Sequence, residues 1–200
     1  MSARPRSDEK ARSILDAACT CLGERGYAAT TIAEIAARAG VSRGLLHYYF
    51  KNKEELMAKA LRAAGEAMFE LFEDAFVESE SAGDLAAGVT RTLRALTGSD
   101  PTYMNLTLEC WTIARESPLV AREMENLYAR LRKSLGDRLA EAKERGIISP
   151  SIPLDGLAVF LLGSSDGLFA QFYFQPDLVD DEMVWKAVEM SMRALLGDGI

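Results

Sequence analysis

Residues 30–56 constrain the fold of this chain most strongly, because they contain two short helix patterns with their own start and stop signals. Thr31 is followed three residues later by Glu34, the arrangement of a capping box at the start of a helix. Apolar residues then recur at helical spacing until Gly40, a residue type that ends helices in the left-handed conformation. The pattern predicts a short amphipathic helix that begins at Thr31 and ends before Gly40.

A second short helix is predicted directly after this turn. Ser42 is a candidate N-cap for a helix over Arg43–Tyr49. Asn52 and Glu55 then form another capping box, which opens a third helix. Two short helices joined by a four-residue turn are the geometry of a helix-turn-helix, whose second helix enters the major groove of DNA.

The residue types of this segment suit contact with DNA. A hydroxyl and an arginine lead the second helix, a glycine leaves room for close approach, and an imidazole and a phenol offer hydrogen-bond donors. Tyr49 and Phe50 are predicted to pack in the core instead. His47 is equally compatible with a solvated surface. The predicted DNA contacts are Thr31, Ser42, Arg43, Gly44, Leu45, His47, Tyr48 and Lys53.

The segment from Ser7 to Arg62 resembles the DNA-binding head of the TetR family of transcriptional repressors. The resemblance lies in GERGYAATTIAEIAARAGVS, in the Tyr-x-Phe unit that ends the second helix, and in K-x-K-E-x-L. Many members carry Tyr where this chain has His47. The resemblance implies phosphate contacts from Thr31, Tyr48 and Lys53. It implies base or backbone contacts from Ser42, Arg43, Leu45 and His47.

The charge of the chain is divided unevenly along its length. Residues 1–62 contain 11 Lys or Arg against 7 Asp or Glu, whereas the remaining residues contain 12 against 23, for a net charge of −7 overall. A basic head attracts phosphates while an acidic body is repelled by them. We therefore predict a DNA-binding domain over residues 8–62 and an effector-binding and dimerisation domain over residues 63–200.

The cysteines and the lack of a leader pattern favour a cytoplasmic protein. Cys19 and Cys21 lie two residues apart on a predicted helix, so their side chains point about 200° apart and cannot pair. Free thiols are typical of a reducing compartment. The longest apolar stretch, Leu157–Phe174, is interrupted by small and polar residues and is predicted not to span a membrane.

The remainder of the chain is predicted to be helical, which makes the whole fold all-α. Prolines, glycines and polar breaks divide it into segments. The predicted helices run from Lys53 to about Glu78 and over Asp84–Thr97, Pro101–Glu116, Pro118–Arg145, Leu154–Phe174 and Asp180–Leu196, with Asp100 and Ser117 as caps.

The last two helices carry more apolar surface than a single core face requires. Two such helices from each of two chains would form a four-helix interface, as the family resemblance also implies. A fully intramolecular core is the alternative. We predict a homodimer, because a helix-turn-helix protein generally needs two heads about one DNA turn apart.

The resemblance also implies a small-molecule cavity in the body, and aromatic side chains with a few polar groups are suited to line one. Asp166 lies alone in an apolar helix and requires a donor, a cation or a ligand. With Glu109 and Trp111 it would favour a hydrophobic cation. Plain core packing, or an arginine partner for Asp166 at the dimer surface, is the alternative. The predicted lining residues are Tyr103, Met104, Leu108, Glu109, Trp111, Asp166, Phe169, Phe172 and Tyr173.

These patterns predict a ligand-responsive transcriptional regulator, a repressor that binds a palindromic operator and is released by a small hydrophobic effector. The single histidine, His47, and the absence of a phosphate loop or metal-ligand motif speak against an enzyme. No cofactor or metal is predicted. The alternative is a thiol-based redox sensor that uses Cys110, or an activator, with the same DNA-binding head.

Overall fold

The computed structural model describes residues 4–99 and 102–197, and these fold into helices joined by short turns. The described part of the chain contains no strand, so the predicted all-α class is confirmed. The helices are α1 (Arg4–Ala29), α2 (Ile32–Arg38), α3 (Arg43–Tyr49), α4 (Lys53–Glu70), α5 (Glu73–Glu78), α6 (Ala82–Ser99), α7 (Thr102–Ala114), α8 (Pro118–Glu144), α9 (Leu154–Phe174) and α10 (Glu182–Leu196), with a 3₁₀ turn at Pro176–Asp180.

One predicted helix is divided in the structure. The segment expected to run from Lys53 to about Glu78 stops at Glu70 and resumes as α5. The amides of Leu71 and Phe72 bond to carbonyls three residues earlier, which tightens the chain into a turn. The predicted cap Ser117 is present, whereas Asp100 and Pro101 lie outside the described residues. The last helix begins at Glu182 and is capped by Asp181, one residue after the predicted start at Asp180.

The chain forms two compact units. The first contains Met1–Ala67 and Pro101–Leu127, and the second contains Met68–Asp100 and Tyr128–Ile200. In the first unit α1 packs against α2 and α7. Its buried residues include Ile14, Leu22, Ile35, Leu46 and Leu106. The core of the second unit includes Phe76, Leu85, Leu139, Leu157 and Leu196.

Helix α9 is long and apolar. It has a mean hydropathy of 1.3 over a window of which 22% is buried, so by length and composition alone it is able to cross a membrane. The expectation that this stretch is too polar for a span was therefore too strict. Leu157 and Ala158 on one side of α9 belong to the core of the second unit, as expected of a helix in a globular protein.

Candidate nucleic-acid interface and effector region

Local hydrogen bonds build the helix-turn-helix as the sequence predicts. At the start of α2 the Thr31 hydroxyl accepts from the Glu34 amide at 3.2 Å, and the Glu34 carboxylate accepts from the Thr31 amide at 2.8 Å. After α2, Gly40 adopts φ +66°, and the Val41 amide donates back to the Ala36 carbonyl. The predicted capping box and turn glycine are thus both confirmed.

Helix α3 has one buried side and one exposed side. Its N-cap Ser42 accepts from the Leu45 amide at 3.1 Å, as predicted. Leu46 and Phe50 are buried, which anchors the helix in the first unit. Arg43, Gly44, His47 and Tyr48 lie on the exposed side, and the Tyr48 ring is 80% exposed. An aromatic side chain this exposed contributes little to folding and is available to a partner.

Thr31 is held in a polar network as well as being exposed. Its hydroxyl donates to the Glu34 carboxylate, which also forms an ion pair with Arg25. The hydrogen bond from the Thr31 amide is the main reason that the pKa of Glu34 is lowered. The predicted phosphate contact from this hydroxyl would have to replace its bond to Glu34.

Lys53 has an internal role that the sequence does not reveal. Its ammonium donates to the carbonyls of Tyr27, at 2.5 Å, and Thr30, at 2.8 Å, and lies 4.0 Å from the centre of the Tyr27 ring. Partial burial lowers the pKa of Lys53. The side chain caps the end of α1, so only part of its donor capacity is left for the predicted phosphate contact.

The predicted effector residues fall into both compact units. Tyr103, Met104, Leu108, Glu109 and Trp111 lie on α7 in the first unit and are partly buried. The residues of α9 lie in the second unit. Among these, Phe169 and Phe172 are buried while Tyr173 is 49% exposed, and Phe172 packs against Trp185 with ring centres 5.3 Å apart.

Asp166 has a hydrogen-bond donor inside its own unit. The Tyr128 hydroxyl donates to the Asp166 carboxylate at 2.8 Å. Partial burial raises the pKa of Asp166, and the bond from Tyr128 counteracts part of that shift. The bond from Tyr128 therefore holds the carboxylate in place but offsets only part of the cost of burying its negative charge. A nearby cation would be favourable for this reason.

An apolar surface runs along α9 and α10. Its exposed large side chains are Val159, Phe160, Tyr173, Phe174, Met183 and Met190, of which Phe160 is 55% and Phe174 75% exposed. We call this set the α9–α10 surface. A cluster of exposed apolar residues on consecutive helices is typical of an interaction site.

Cys19 and Cys110 lie in environments that suppress thiolate formation. Cys110 is fully buried, and burial raises its pKa to about 12. Burial likewise raises the pKa of Cys19 to about 12, and its thiol donates to the Ala60 carbonyl. Because the thiolate is the reactive form, these two groups are poor candidates for redox sensing.

The helix-turn-helix with its exposed second helix, followed by a helical body, defines a class of protein: the helix-turn-helix DNA-binding regulators. Residues 14–60 match the family described as bacterial regulatory proteins, tetR family, and residues 82–197 match the C-terminal region of BetI-type transcriptional repressors. The chain belongs to the TetR family. It is a transcriptional regulator and not an enzyme.

Individual relatives have similar overall lengths. A transcriptional repressor of Mycobacterium tuberculosis, Rv1474c, is 29% identical over 91% of this chain and 92% of its own. Salmonella enterica GusR has the same fold, with a TM-score of 0.75, 22% identity, and coverage of 94% of this chain and 95% of its own. FadR of Bacillus subtilis, solved in complex with stearoyl-CoA, has a TM-score of 0.68, 23% identity, and coverage of 94% and 98%.

The contacts around Tyr27 are not evident from the sequence. Its amide donates to Glu109 Oε2 at 2.8 Å and its carbonyl accepts from Lys53, so three helices meet at one residue. The available signal was Gly26, a glycine inside a helical pattern five residues before the predicted cap Thr31. The Tyr128 donor to Asp166 was also missed, because no sequence pattern pairs residues 38 positions apart.

Proposed function

We propose that this regulator is a repressor that binds a palindromic operator as a homodimer in the cytoplasm and is released by a small hydrophobic effector. The observation that carries the proposal is the exposed side of α3, where Arg43, Gly44, His47 and Tyr48 stand on a helix anchored by buried Leu46. A helix presented in this way has the side chains that major-groove recognition requires.

Phosphate contacts are proposed from Tyr48 and from the hydroxyls at the two helix starts, Thr31 and Ser42. Lys53 is given a smaller part in DNA binding, since its ammonium already bonds to two carbonyls. Leu45 is half-buried and supplies an apolar contact beside Arg43 and His47. DNA binding by residues 8–62 then leaves residues 63–200 for the effector and the second protomer.

The homodimer is proposed to form through the α9–α10 surface. Gly163 and Gly167 are both exposed on α9, and neither has other atoms within 4 Å of a Cβ position, so another helix is able to approach closely there. Burying exposed aromatic and methionine side chains against a second copy removes apolar area from water. A symmetric pair of heads matches the two half-sites of a palindrome.

Two groups of residues are proposed as effector contacts, those of α7 in the first unit and those of α9 in the second. Trp111 in the first group and Asp166 in the second would each favour a hydrophobic cation. FadR of Bacillus subtilis, which shares this fold, was solved with an apolar acyl chain carried by stearoyl-CoA. In this chain the half-buried Asp166 carboxylate would be stabilised by a positive charge. Binding of the effector would change the affinity for the operator by linkage, typically about 5- to 150-fold.

DNA binding is tested with the full-length protein and DNA from the intergenic region beside its own gene, by fluorescence anisotropy over a salt series. We expect tight binding that weakens steeply with salt, and a marked loss of affinity for Tyr48→Ala. Tyr48→Phe distinguishes the contribution of the hydroxyl to DNA affinity from that of the ring. Lys143→Ala, which removes a positive charge from the body, is the control for a change in net charge. Equal affinity for operator and random DNA would refute the proposal.

The effector class is tested by calorimetry with tetraphenylphosphonium and with its uncharged analogue triphenylphosphine oxide. We expect the cation to bind more tightly, to weaken operator binding, and to lose its advantage in Asp166→Asn. Equal binding of the two probes would remove the preference for a cation. Binding of either probe with no change in operator affinity would remove the proposed release mechanism.

The redox alternative predicts that mild oxidation changes operator affinity and that Cys110→Ser abolishes the change. Burial of Cys110 and its raised pKa weigh against this alternative. Operator affinity measured before and after dilute hydrogen peroxide distinguishes the two cases. The distinction between repressor and activator is made with a promoter–reporter fusion in cells with and without the regulator.

A further inference from the structure

One side of helix α7 contacts the C-terminal end of α1. At the start of α7, Thr102 lies so close to Gly23 that a Cβ on that glycine would be 2.8 Å from the Thr102 carbonyl oxygen. One turn further along, Asn105 Nδ2 donates to the Gly23 carbonyl at 2.9 Å. After another turn, Glu109 Oε2 accepts from the Tyr27 amide at 2.8 Å. Residues at this spacing share one side of a helix.

The last of these contacts occurs where α1 is kinked. Gly26 has φ +75° and ψ 169°, outside the helical region, so the Tyr27 amide is released from the helix ladder. A buried backbone donor needs a partner, and the Glu109 carboxylate provides one with a charge-assisted bond. Three residues after Tyr27, the Thr30 hydroxyl donates to the Gly26 carbonyl, and Thr31 then caps α2.

The side of α7 that faces α1 differs from the side that was predicted to meet an effector. At about 100° per residue, Met104 and Trp111 project roughly 100° to 160° away from Asn105 and Glu109, and Leu108 lies between the two directions. One helix therefore has hydrogen bonds to the kink on one side and apolar predicted effector residues on the other. Glu109 was grouped with those effector residues from sequence, but its carboxylate is bonded to Tyr27.

We propose that Glu109 is a positioning residue that, through the Tyr27 amide, holds the α1 kink in the geometry from which α2 and α3 bind DNA. Rotation or shift of α7 would withdraw the carboxylate from Tyr27, and the kink is followed within a few residues by the helix-turn-helix. The inference rests on the function proposed above, and it makes α7 the element by which an effector reaches the head.

The test compares Glu109→Ala, which removes the acceptor, with Glu109→Gln, whose side-chain oxygen still accepts from Tyr27. Glu116→Ala, at an exposed carboxylate just after α7, is the matched control. Operator affinity is measured well below the melting temperature, with the active fraction set by stoichiometric titration. A purely structural role would lower the melting temperature but leave the affinity of the folded dimer unchanged.

We expect Glu109→Ala to weaken operator binding about 5- to 50-fold, with Glu109→Gln within about 3-fold and Glu116→Ala within about 2-fold of wild type. A folded Glu109→Ala dimer with wild-type affinity would overturn the inference while leaving the DNA-binding function intact. Failure of the wild-type protein to bind the operator would overturn both.

Hydrogen exchange of the Tyr27 amide in the wild-type protein decides the question if Glu109→Ala does not fold. We expect exchange to slow at least about 5-fold when the operator is bound, because DNA selects the conformation in which Glu109 holds this amide. The same exchange rate with and without operator would overturn the inference.

Discussion

The exposed side of α3 and the α9–α10 surface are both open to solvent within their own units, but they differ in chemistry. Helix α3 presents an arginine, a glycine, a histidine and a tyrosine, whereas the other surface presents mainly phenylalanine, methionine and valine. In each case buried residues on the opposite side hold the helix in place. Anchoring and recognition are therefore separate tasks of the same helices. The exposed residue types suit polar DNA in one case and, in the proposed dimer, an apolar protein surface in the other.

The largest expected effect is on the apolar side of this comparison. Phe160→Glu places a charge in the α9–α10 surface and should convert the dimer to a monomer, measured by light scattering after gel filtration. Operator affinity should then fall more than about 100-fold, because the second head no longer binds as part of one molecule.

Leu71→Glu is the matched control for this substitution, because Leu71 is 55% exposed, the same fraction as Phe160, but lies outside the α9–α10 surface. It should leave the mass and the affinity unchanged. A Phe160→Glu protein that stays dimeric would show that the surface has another purpose.

The next effect concerns the charged end of α3. Arg43→Ala should weaken operator binding about 10- to 50-fold without changing the dimer mass, since a bidentate contact to a base contributes about 1–3 kcal/mol. The loss should be smaller for operators altered at the contacted base. Arg115→Ala, an exposed arginine after α7, serves as the control. Equal losses on every DNA sequence would instead assign Arg43 to a phosphate.

A smaller effect separates stability from recognition within α3. A Cβ at Gly44 would meet no protein atom closer than Ser42 Oγ at 3.9 Å, so the fold has room for a methyl group. Gly44→Ala should raise the free energy of unfolding by about 0.5–1 kcal/mol. Operator affinity should nevertheless fall, by about 5- to 10-fold, if the DNA backbone approaches this position. Urea denaturation and anisotropy provide the two measurements, and an unchanged affinity would show that Gly44 does not face the DNA.

The smallest effect concerns Asp166, a partly buried carboxylate on the apolar helix α9. Because the folded-state pKa of Asp166 is raised, the folded protein holds its proton more tightly than the unfolded chain, and ionisation costs stability as pH rises above the ordinary aspartate pKa. Asp166→Asn, which keeps an acceptor for Tyr128, should raise the melting temperature by a few degrees at pH 7.5.

The gain from Asp166→Asn should shrink as pH falls toward about 4 and vanish below it, as the wild-type carboxyl becomes protonated in both states. Asp177→Asn, at an exposed position after α9, is the matched control. A gain that is constant from pH 4 to pH 7.5 would show that ionisation of Asp166 is not its cause.

Local signals made the head predictable to within a residue. The Thr31–Glu34 capping box, the Gly40 turn and the Ser42 cap each depend on neighbours three to five residues away, and each occurs as expected. The family resemblance of residues 7–62 added the function. The break between α4 and α5 at Leu71 was not predicted, because neither Leu71 nor Phe72 is a residue type that breaks helices.

The amino-acid sequence by itself determined the all-α class, the helix-turn-helix, the reserve of apolar surface in the last two helices and the isolation of Asp166 in an apolar segment. Periodicity, caps and turn residues act over a few positions, so they can be recognised from the sequence alone. Only the tertiary structure decided that Lys53 caps α1, that Tyr128 meets Asp166 and that Glu109 holds the Tyr27 amide. These contacts join residues 23 to 82 positions apart, and their geometry exists only once the helices have packed.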